Sequence, residues 1–312
     1  MMQYVIDEQH DGVLLRTYLQ GHLGISRRLL TRLKAHPEGI LLEGKPVTVR
    51  AVLHAGDVLT LAMEDDATTK RGNVVPGKVL PDVLYEDEDI LVCNKPADMP
   101  THPSHGHFDD TLANAVARYE WERTGRVGVF RPVNRLARNT GGLVLIAKHQ
   151  FAADRLAKSM QSGRIQKQYL AVLEGVPPTK KGEIHAFIRR ACESIITREI
   201  CPPDAPGAKE AHTHFRVISH WTLPEGFERS LVCARPITGR THQLRLHFAH
   251  LGTPIVGDDM YGKQLSIPTP DHHILHAHAL TFPHPATGQI MTLIAPPDQA
   301  LRDLLPDILT NL

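Results

Sequence analysis

Residues 235–258 read RPITGRTHQLRLHFAHLGTPIVGD, and the interpretation of the whole chain starts from this stretch. Leu244 to Phe248 is a short, mainly apolar run, which predicts a strand. Glycine and proline on both sides of the run indicate turns. Arg235, Arg240 and Arg245 add three positive charges, so we expect a packed element that carries a local anion-binding strip.

Short apolar runs and turn residues alternate from Val83 onward. Four of these runs predict strands: Ile90–Cys93, Leu143–Ala147, Tyr169–Leu173 and Phe215–Ile218. The clearest helical stretches are Thr111–Trp121 and Gln150–Met160. This pattern predicts an α+β domain built around a mixed or antiparallel sheet, and it does not fit a regular doubly wound fold.

The N-terminal segment predicts a small α+β unit of its own. A helical pattern from Leu14 to Leu19 is followed by Ser26, a good N-cap for a second helix. Short strands are expected over residues 39–44, 46–52 and 56–61. On the second helix, basic residues lie opposite the leucines: Arg27, Arg28 and Arg32. This basic face either contacts RNA or is an ordinary solvated surface.

These patterns divide the chain into three parts. Residues 1–63 form the small unit, residues 64–81 are a linker without periodicity, and residues 82–312 form the large domain. The overall charge is nearly balanced, with 35 Lys and Arg against 34 Asp and Glu, so any nucleic-acid surface must be a local patch. Four widely spaced cysteines, and no apolar run long enough for a bilayer, predict a cytoplasmic protein without a membrane association.

Five phrases in order resemble the RluA-type RNA pseudouridine synthases. They lie at residues 85–103, 131–148, 165–175, 235–262 and 275–285. The phrase at residues 235–258 matches the family pattern almost position for position. The N-terminal unit is similar to an αL-type RNA-binding module, with two helices before a small sheet. The resemblance implies a pseudouridine synthase catalytic domain, and no cofactor, because the reaction is a redox-neutral rearrangement.

The resemblance also implies a departure at the catalytic position. The phrase at residues 131–148 places Asn134 at the family's histidine, Ala137 at its catalytic aspartate and Gly141 at its serine. In the family that aspartate is the nucleophile, and a methyl group has no lone pair to replace it. Arg240 matches the arginine that pairs with the aspartate, and Tyr169 matches the tyrosine that stacks under the flipped uracil.

The same resemblance suggests the residues that contact RNA. Arg135 is the candidate wedge that occupies the space of a flipped base. The other candidate contacts are Asn134, Arg138, Lys167, Thr241, His242, Arg245, Arg27, Arg28 and Arg32. The implied partner is structured RNA, with ribosomal RNA favoured over transfer RNA, and the implied state is a monomer. Since Arg240 lacks its carboxylate partner, we expect a compensating polar group or anion beside Ala137.

Several alternatives stay open at this level. Ala137 is either an engineered substitution, which the near-intact remainder of the site favours, or a natural loss, which the unusual Asn134 and Gly141 favour. The chain is accordingly an inactive form of an isomerase or a non-catalytic RNA-binding or remodelling homologue. A metal-dependent hydrolase is a third interpretation, because histidines cluster near residues 102–107 and 272–278. The family phrases explain several of these histidines, so no metal is expected.

Overall fold

A computed structural model describes residues 1–63, 74–192, 194, 196–262 and 270–306. In its N-terminal part, four antiparallel strands form one sheet in the order β1-β4-β2-β3. These strands are β1 (Met2–Val5), β2 (Ile40–Leu42), β3 (Lys45–Pro46) and β4 (Val58–Leu61). The expected strand over 46–52 is wrong, because the chain turns at residues 48–51 and only Val52 forms a further bridge, to Leu14.

Two helical segments pack on this small sheet, as predicted. A 3-10 turn at Glu8–His10 precedes α1 (Leu15–Thr17), which continues into a wider π-helical turn at Tyr18–His22. Helix α2 (Arg27–Ala35) begins after Ser26, whose hydroxyl accepts a hydrogen bond from the Leu29 amide at 3.2 Å. The leucine face of α2 is buried, because it closes the apolar cluster of the unit.

The expected linker, residues 64–81, falls partly outside the described residues, which omit 64–73. Residues 74–81 contain no helix or strand.

The N-terminal unit contacts the large domain directly. The Ser26 amide donates to Asp154 Oδ2 at 3.0 Å, and Arg155 donates to the Leu23 carbonyl at 2.8 Å. Phe151, on the helix Gln150–Gln161, joins the apolar cluster of the small unit, so the small unit packs against this helix of the large domain.

The large domain contains a mixed sheet, in agreement with the predicted fold class. Its order is β10-β9-β11-β12-β8-β13-β7-β6-β5, with β14 beside β13. Neighbouring strands are antiparallel except for β13 and β7, which are parallel. The strands are β5 (Asp82–Glu86), β6 (Ile90–Lys95), β7 (Gly141–Ala147), β8 (Gln166–Glu174), β9 (Lys181–Arg190), β10 (Arg198–Cys201), β11 (Lys209–Thr222), β12 (Glu228–Pro236), β13 (Leu275–Pro283) and β14 (Ile290–Ile294).

Helices cover both faces of this sheet. They are α3 (Leu112–Thr124), α4 (Gln150–Gln161), α5 (Gln243–His250) and α6 (Gln299–Arg302). Alternate residues of each strand point to opposite faces, so one apolar cluster packs against α3 and α5 and another against α4. In the described part of the chain, no helix combines the length and the apolar character needed to cross a membrane.

The predicted strand Leu244–Phe248 is wrong, because this segment is helix α5. Six consecutive residues of α5, from Gln243 to Phe248, are buried. A helix that is buried on all sides has no polar stripe, so its short apolar run cannot be distinguished from a buried strand by periodicity. The two longer predicted helices, α3 and α4, are confirmed.

Candidate active site

The loop that contains Ala137 leads from α3 into β7. It runs alongside β7, because the Val133 amide donates to the Leu145 carbonyl at 2.7 Å. The Asn134 side chain donates to the Leu143 carbonyl at 3.0 Å and accepts from the Leu145 amide at 2.9 Å. Asn134 is buried and both of its polar atoms bind the backbone of β7. Its contact with RNA stays a prediction, and in the structure its side chain positions the loop.

Lys95 is a second anchor of this loop, and it was missed by the sequence interpretation. Its side chain is completely buried at the end of β6. The ammonium donates to three carbonyl oxygens, those of Pro96 at 2.8 Å, Met99 at 2.7 Å and Arg138 at 3.0 Å. Burial lowers the pKa of Lys95 to about 7, whereas Asp98 and Asp298 act in the opposite direction. The sequence shows only a lysine-proline turn here, so no local signal reveals the contact with residue 138.

The tip of the loop exposes three residues around one buried side chain. Leu136 is buried, and its carbonyl accepts from the Thr101 hydroxyl at 2.9 Å. Arg135 and Ala137 on either side of it are exposed. Arg138 is exposed as well, although its guanidinium pairs with Asp98 at 2.6 Å. The structure thus presents Ala137 to solvent between two arginines.

Strand β8 contributes Tyr169 and Lys167 to the same region, two residues apart as the sequence predicts. Tyr169 is buried in the apolar cluster that also contains Leu136, and burial raises the pKa of its hydroxyl to about 12. The hydroxyl is therefore protonated at neutral pH. Burial also lowers the pKa of Lys167. Its ammonium nitrogen lies 3.8 Å from the position that a Cβ atom on Gly239 would take. Lys167 therefore lies beside the turn that contains Arg240.

The turn at residues 237–243 presents Arg240 to solvent. The Gln243 side chain holds the turn, since its oxygen accepts from the Arg240 amide at 3.0 Å. The Arg240 Nε donates to the Glu210 carbonyl at 2.9 Å, and the side chain is exposed. Arg240 therefore has a polar neighbour, the Glu210 carbonyl, and its side chain lies in solvent. The compensating group expected beside Ala137 stays a prediction. Tyr169 thus shares an apolar cluster with Leu136 of the Ala137 loop, and Lys167 adjoins the Arg240 turn.

Three further predicted RNA contacts, Arg245, His242 and Thr241, differ in their exposure. Arg245 is buried and its guanidinium pairs with Asp258 at 2.5 Å and with Asp259 at 2.8 Å. Its contact with RNA stays a prediction, although the guanidinium already pairs with these two carboxylates. His242 is half-buried beside the Tyr261 hydroxyl at 2.9 Å, and burial together with Arg245 lowers its pKa to about 4. Thr241 is exposed.

The arginines of α2 belong to the N-terminal unit. Arg27 and Arg28 are exposed, and Arg32 is half-buried. Their contact with RNA stays a prediction, as does that of the exposed cations near Ala137.

Two groups in the described residues have possible metal-ligand atoms within 4.8 Å of one another: Glu183, His212 and His214, and Asp87, Asp89 and His284. The histidine clusters near residues 102–107 and 272–278 are not among them.

Comparison with known proteins identifies the family of this chain. The family model described as RNA pseudouridylate synthase matches residues 89–250, which is more than half of the chain. The chain belongs to the RNA pseudouridine synthase family. The matched region of this family member includes Lys95, Ala137, Tyr169 and Arg240.

Individual relatives of this pseudouridine synthase cover most of its length. The chain is 34% identical to the "Uncharacterized RNA pseudouridine synthase YjbO" of Bacillus subtilis, over 91% of this chain and 96% of the relative. It is 33% identical to the "Ribosomal large subunit pseudouridine synthase D" of Xylella fastidiosa, over 85% of this chain and 80% of the relative. The solved structure of "Human RNA Pseudouridylate Synthase Domain Containing 1" shares 29% identity with a TM-score of 0.57, covering 71% of this chain and 85% of that one.

Proposed function

We propose that this family member binds structured RNA but, with Ala137, does not convert uridine to pseudouridine. The observation that carries this proposal is that an exposed methyl group occupies the position which the family resemblance assigns to the nucleophile. Isomerisation requires breaking an N-glycosidic bond, and covalent catalysis of that step needs an atom with a lone pair. The chain still has Tyr169 and the exposed Arg135 and Arg138.

In the described part of the chain, the two carboxylates that act on the Lys95 ammonium, those of Asp98 and Asp298, both have structural contacts. Asp98 pairs with Arg138 at 2.6 Å on the protein surface. Asp298 caps α6 by accepting from the Leu301 amide at 2.9 Å, and its other oxygen faces His276 at 3.5 Å. Each of these two carboxylates is already engaged in a structural contact, and neither is proposed to replace the nucleophile at residue 137. Loss of turnover therefore follows from Ala137 itself.

Ribosomal RNA is the RNA that we propose as the partner. Two of the relatives, from Xylella fastidiosa and Vibrio vulnificus, are named as ribosomal large subunit pseudouridine synthase D. The exposed arginines near Ala137 and on α2 provide charge for phosphate contacts. We propose further that the protein acts as a monomer in the cytoplasm.

Tritium release from RNA labelled at carbon 5 of uracil tests the catalytic part of the proposal. The chain with Ala137 should release no tritium from ribosomal or transfer RNA, although it binds ribosomal RNA more tightly. A137D supplies the missing carboxylate, and A137N is the matched control, with a similar shape but no nucleophile. Turnover by A137D alone would assign the loss to one side chain in an otherwise competent site.

The remaining outcomes separate the two functional classes. If A137D binds RNA but stays inactive, the chain is a non-catalytic binding homologue. Release of tritium by the unaltered chain would overturn the proposed inactivity. Failure of the unaltered chain to bind ribosomal RNA in a filter-binding assay would overturn the proposed binding function, whatever the result with A137D.

A further inference from the structure

A cluster of imidazole and carboxylate groups lies on one face of β9 and β11, outside the proposed active site. The two strands are antiparallel, with His212 opposite His185 and His214 opposite Glu183. The intervening residues of both strands, including Ile184, are buried on the other face. Because side chains alternate along a strand, these three histidines and the glutamate share the solvent-facing side.

The distances within this cluster resemble those of a metal site. Glu183 Oε2 lies 3.2 Å from His212 Nε2, and Glu183 Oε1 lies 3.2 Å from His214 Nδ1. One ligand atom from each of the three residues lies within 4.8 Å of the other two. Ligands at about 2.1 Å from a tetrahedral zinc ion are about 3.4 Å apart, so small side-chain rotations bring all three atoms to bonding distance.

We propose that Glu183, His212 and His214 bind a divalent transition-metal ion of the zinc class. Two imidazole nitrogens and one carboxylate oxygen suit zinc better than magnesium or calcium, which prefer oxygen ligands. His185 is the fourth ligand or its support. Its ring centre lies 5.8 Å from that of His212, and its Nε2 lies 2.7 Å from Glu210 Oε1. A carboxylate behind an imidazole is a common outer partner in metal sites.

The second group of potential ligands, Asp87, Asp89 and His284, is less suited to bind a metal, because its carboxylate oxygens already accept hydrogen bonds. The Asp87 carboxylate accepts from the Tyr85 hydroxyl and from the backbone amides of Asp89 and Ile90, each at 2.8 Å. These bonds close the turn between β5 and β6, so the oxygens already have partners. Within the described part of the chain, the Glu183 carboxylate meets only the two imidazoles.

The metal site is connected to the Arg240 turn through the backbone of His212. The His212 carbonyl accepts from the Ile237 amide at 2.9 Å and from the Gln243 side chain at 3.0 Å. The His212 amide donates to the Thr238 hydroxyl at 2.9 Å. A metal bound to the His212 side chain therefore restrains the residue on which the turn is anchored. The role that follows is structural support of the turn, and the metal takes no part in uridine chemistry.

Titration of the metal-stripped full chain with zinc chloride tests the proposal. We expect binding of one equivalent by isothermal titration calorimetry, and cobalt(II) should give the intense visible bands of a tetrahedral site. The variant H212A/H214A removes two ligands, so its affinity should fall by at least the roughly 10- to 100-fold seen when only outer partners are lost. E183Q should weaken binding while preserving the shape of the cluster.

Controls on other histidines make the result specific. H220A alters an exposed histidine on the same strand and should bind zinc like the unaltered chain. H105A/H107A probes the separate histidine cluster and should also have no effect. Thermal unfolding of each metal-free variant reports whether it folds. Absence of stoichiometric binding, or binding that survives in a folded H212A/H214A variant, would overturn the proposal, as would loss of binding in H105A/H107A.

Discussion

Arg240 and Arg245 are five residues apart but have opposite environments. Arg240 is exposed and its Nε binds a backbone carbonyl, whereas Arg245 is buried between two aspartates. Both belong to the predicted anion-binding strip, because a sequence shows the charge of a residue but not its exposure. Only Arg240 can reach a phosphate without breaking a buried ion pair.

A pair of substitutions, R240M and R245M, tests this assignment. R245M leaves the Asp258 carboxylate buried without its cation, so the free energy of unfolding should fall by about 3–5 kcal/mol. R240M alters an exposed side chain and should change it by no more than about 0.5 kcal/mol. Urea denaturation measures both values.

The same two variants should show the reverse order in RNA binding. R240M should weaken binding and reduce the slope of log affinity against log salt by about one, because one phosphate contact is lost. Folded R245M should retain the original salt slope. A normal slope in R240M together with a reduced slope in R245M would contradict the assignment of these arginines.

At the scale of elements, the junction of β7 and β13 explains the unusual Gly141. A Cβ atom on Gly141 would lie 2.8 Å from Asp298 Oδ2 and 3.3 Å from His276 Nδ1. The serine expected from the family pattern therefore requires the Asp298 carboxylate to shift. Gly141 and Asp298 form a matched pair, although they are far apart in sequence.

We predict that G141S destabilises the fold by about 1–3 kcal/mol, because the new side chain displaces Asp298 from the start of α6. Adding D298A should remove part of this penalty, so the double variant should be more stable than the sum of the single effects indicates. A Cβ atom on Gly21 would meet no atom of the described residues within 4 Å, which makes G21S the control for a serine in open space. Additive losses in chemical denaturation would argue against direct contact.

Helix α5 shows how element type depends on its surroundings. The segment is too short for its periodicity to separate a buried helix from a buried strand. By contrast, α3 has a strong local signal, because Thr111 and Asn114 form a capping box at its first turn. Elements with caps are predicted well from sequence, and elements that are defined by burial on every side are not.

At the scale of the whole molecule, buried histidines make stability depend on pH. His247 and His273 are almost completely buried, and burial lowers the pKa of each to about 4. An unfolded histidine titrates near pH 6.5, so below that pH the unfolded chain binds more protons than the folded one. Their contribution to stability is complete above about pH 6.5 and is lost as the pH falls towards 4.

We expect the free energy of unfolding to fall between pH 7.5 and pH 5 by about 1–2 kcal/mol for each of these histidines. H247L should weaken this pH dependence. It should cost little at pH 7.5, because within the described residues neither ring nitrogen of His247 has a hydrogen-bond partner. Urea denaturation at the two pH values measures the effect, with H220A as an exposed control. An unchanged pH dependence in H247L would show that His247 is not the titrating group.

The sequence by itself determined the family resemblance, the mixed α+β class, the helices with good caps and the alanine at residue 137. These features depend on residue identity and on neighbours within a few positions, which are visible in the chain. Tertiary structure alone decided that Asn134 and Arg245 are buried, that Lys95 holds the loop of residue 138, and that Glu183 meets His212 and His214. Burial and charge pairing depend on segments that are distant in sequence, and only packing brings those segments into contact.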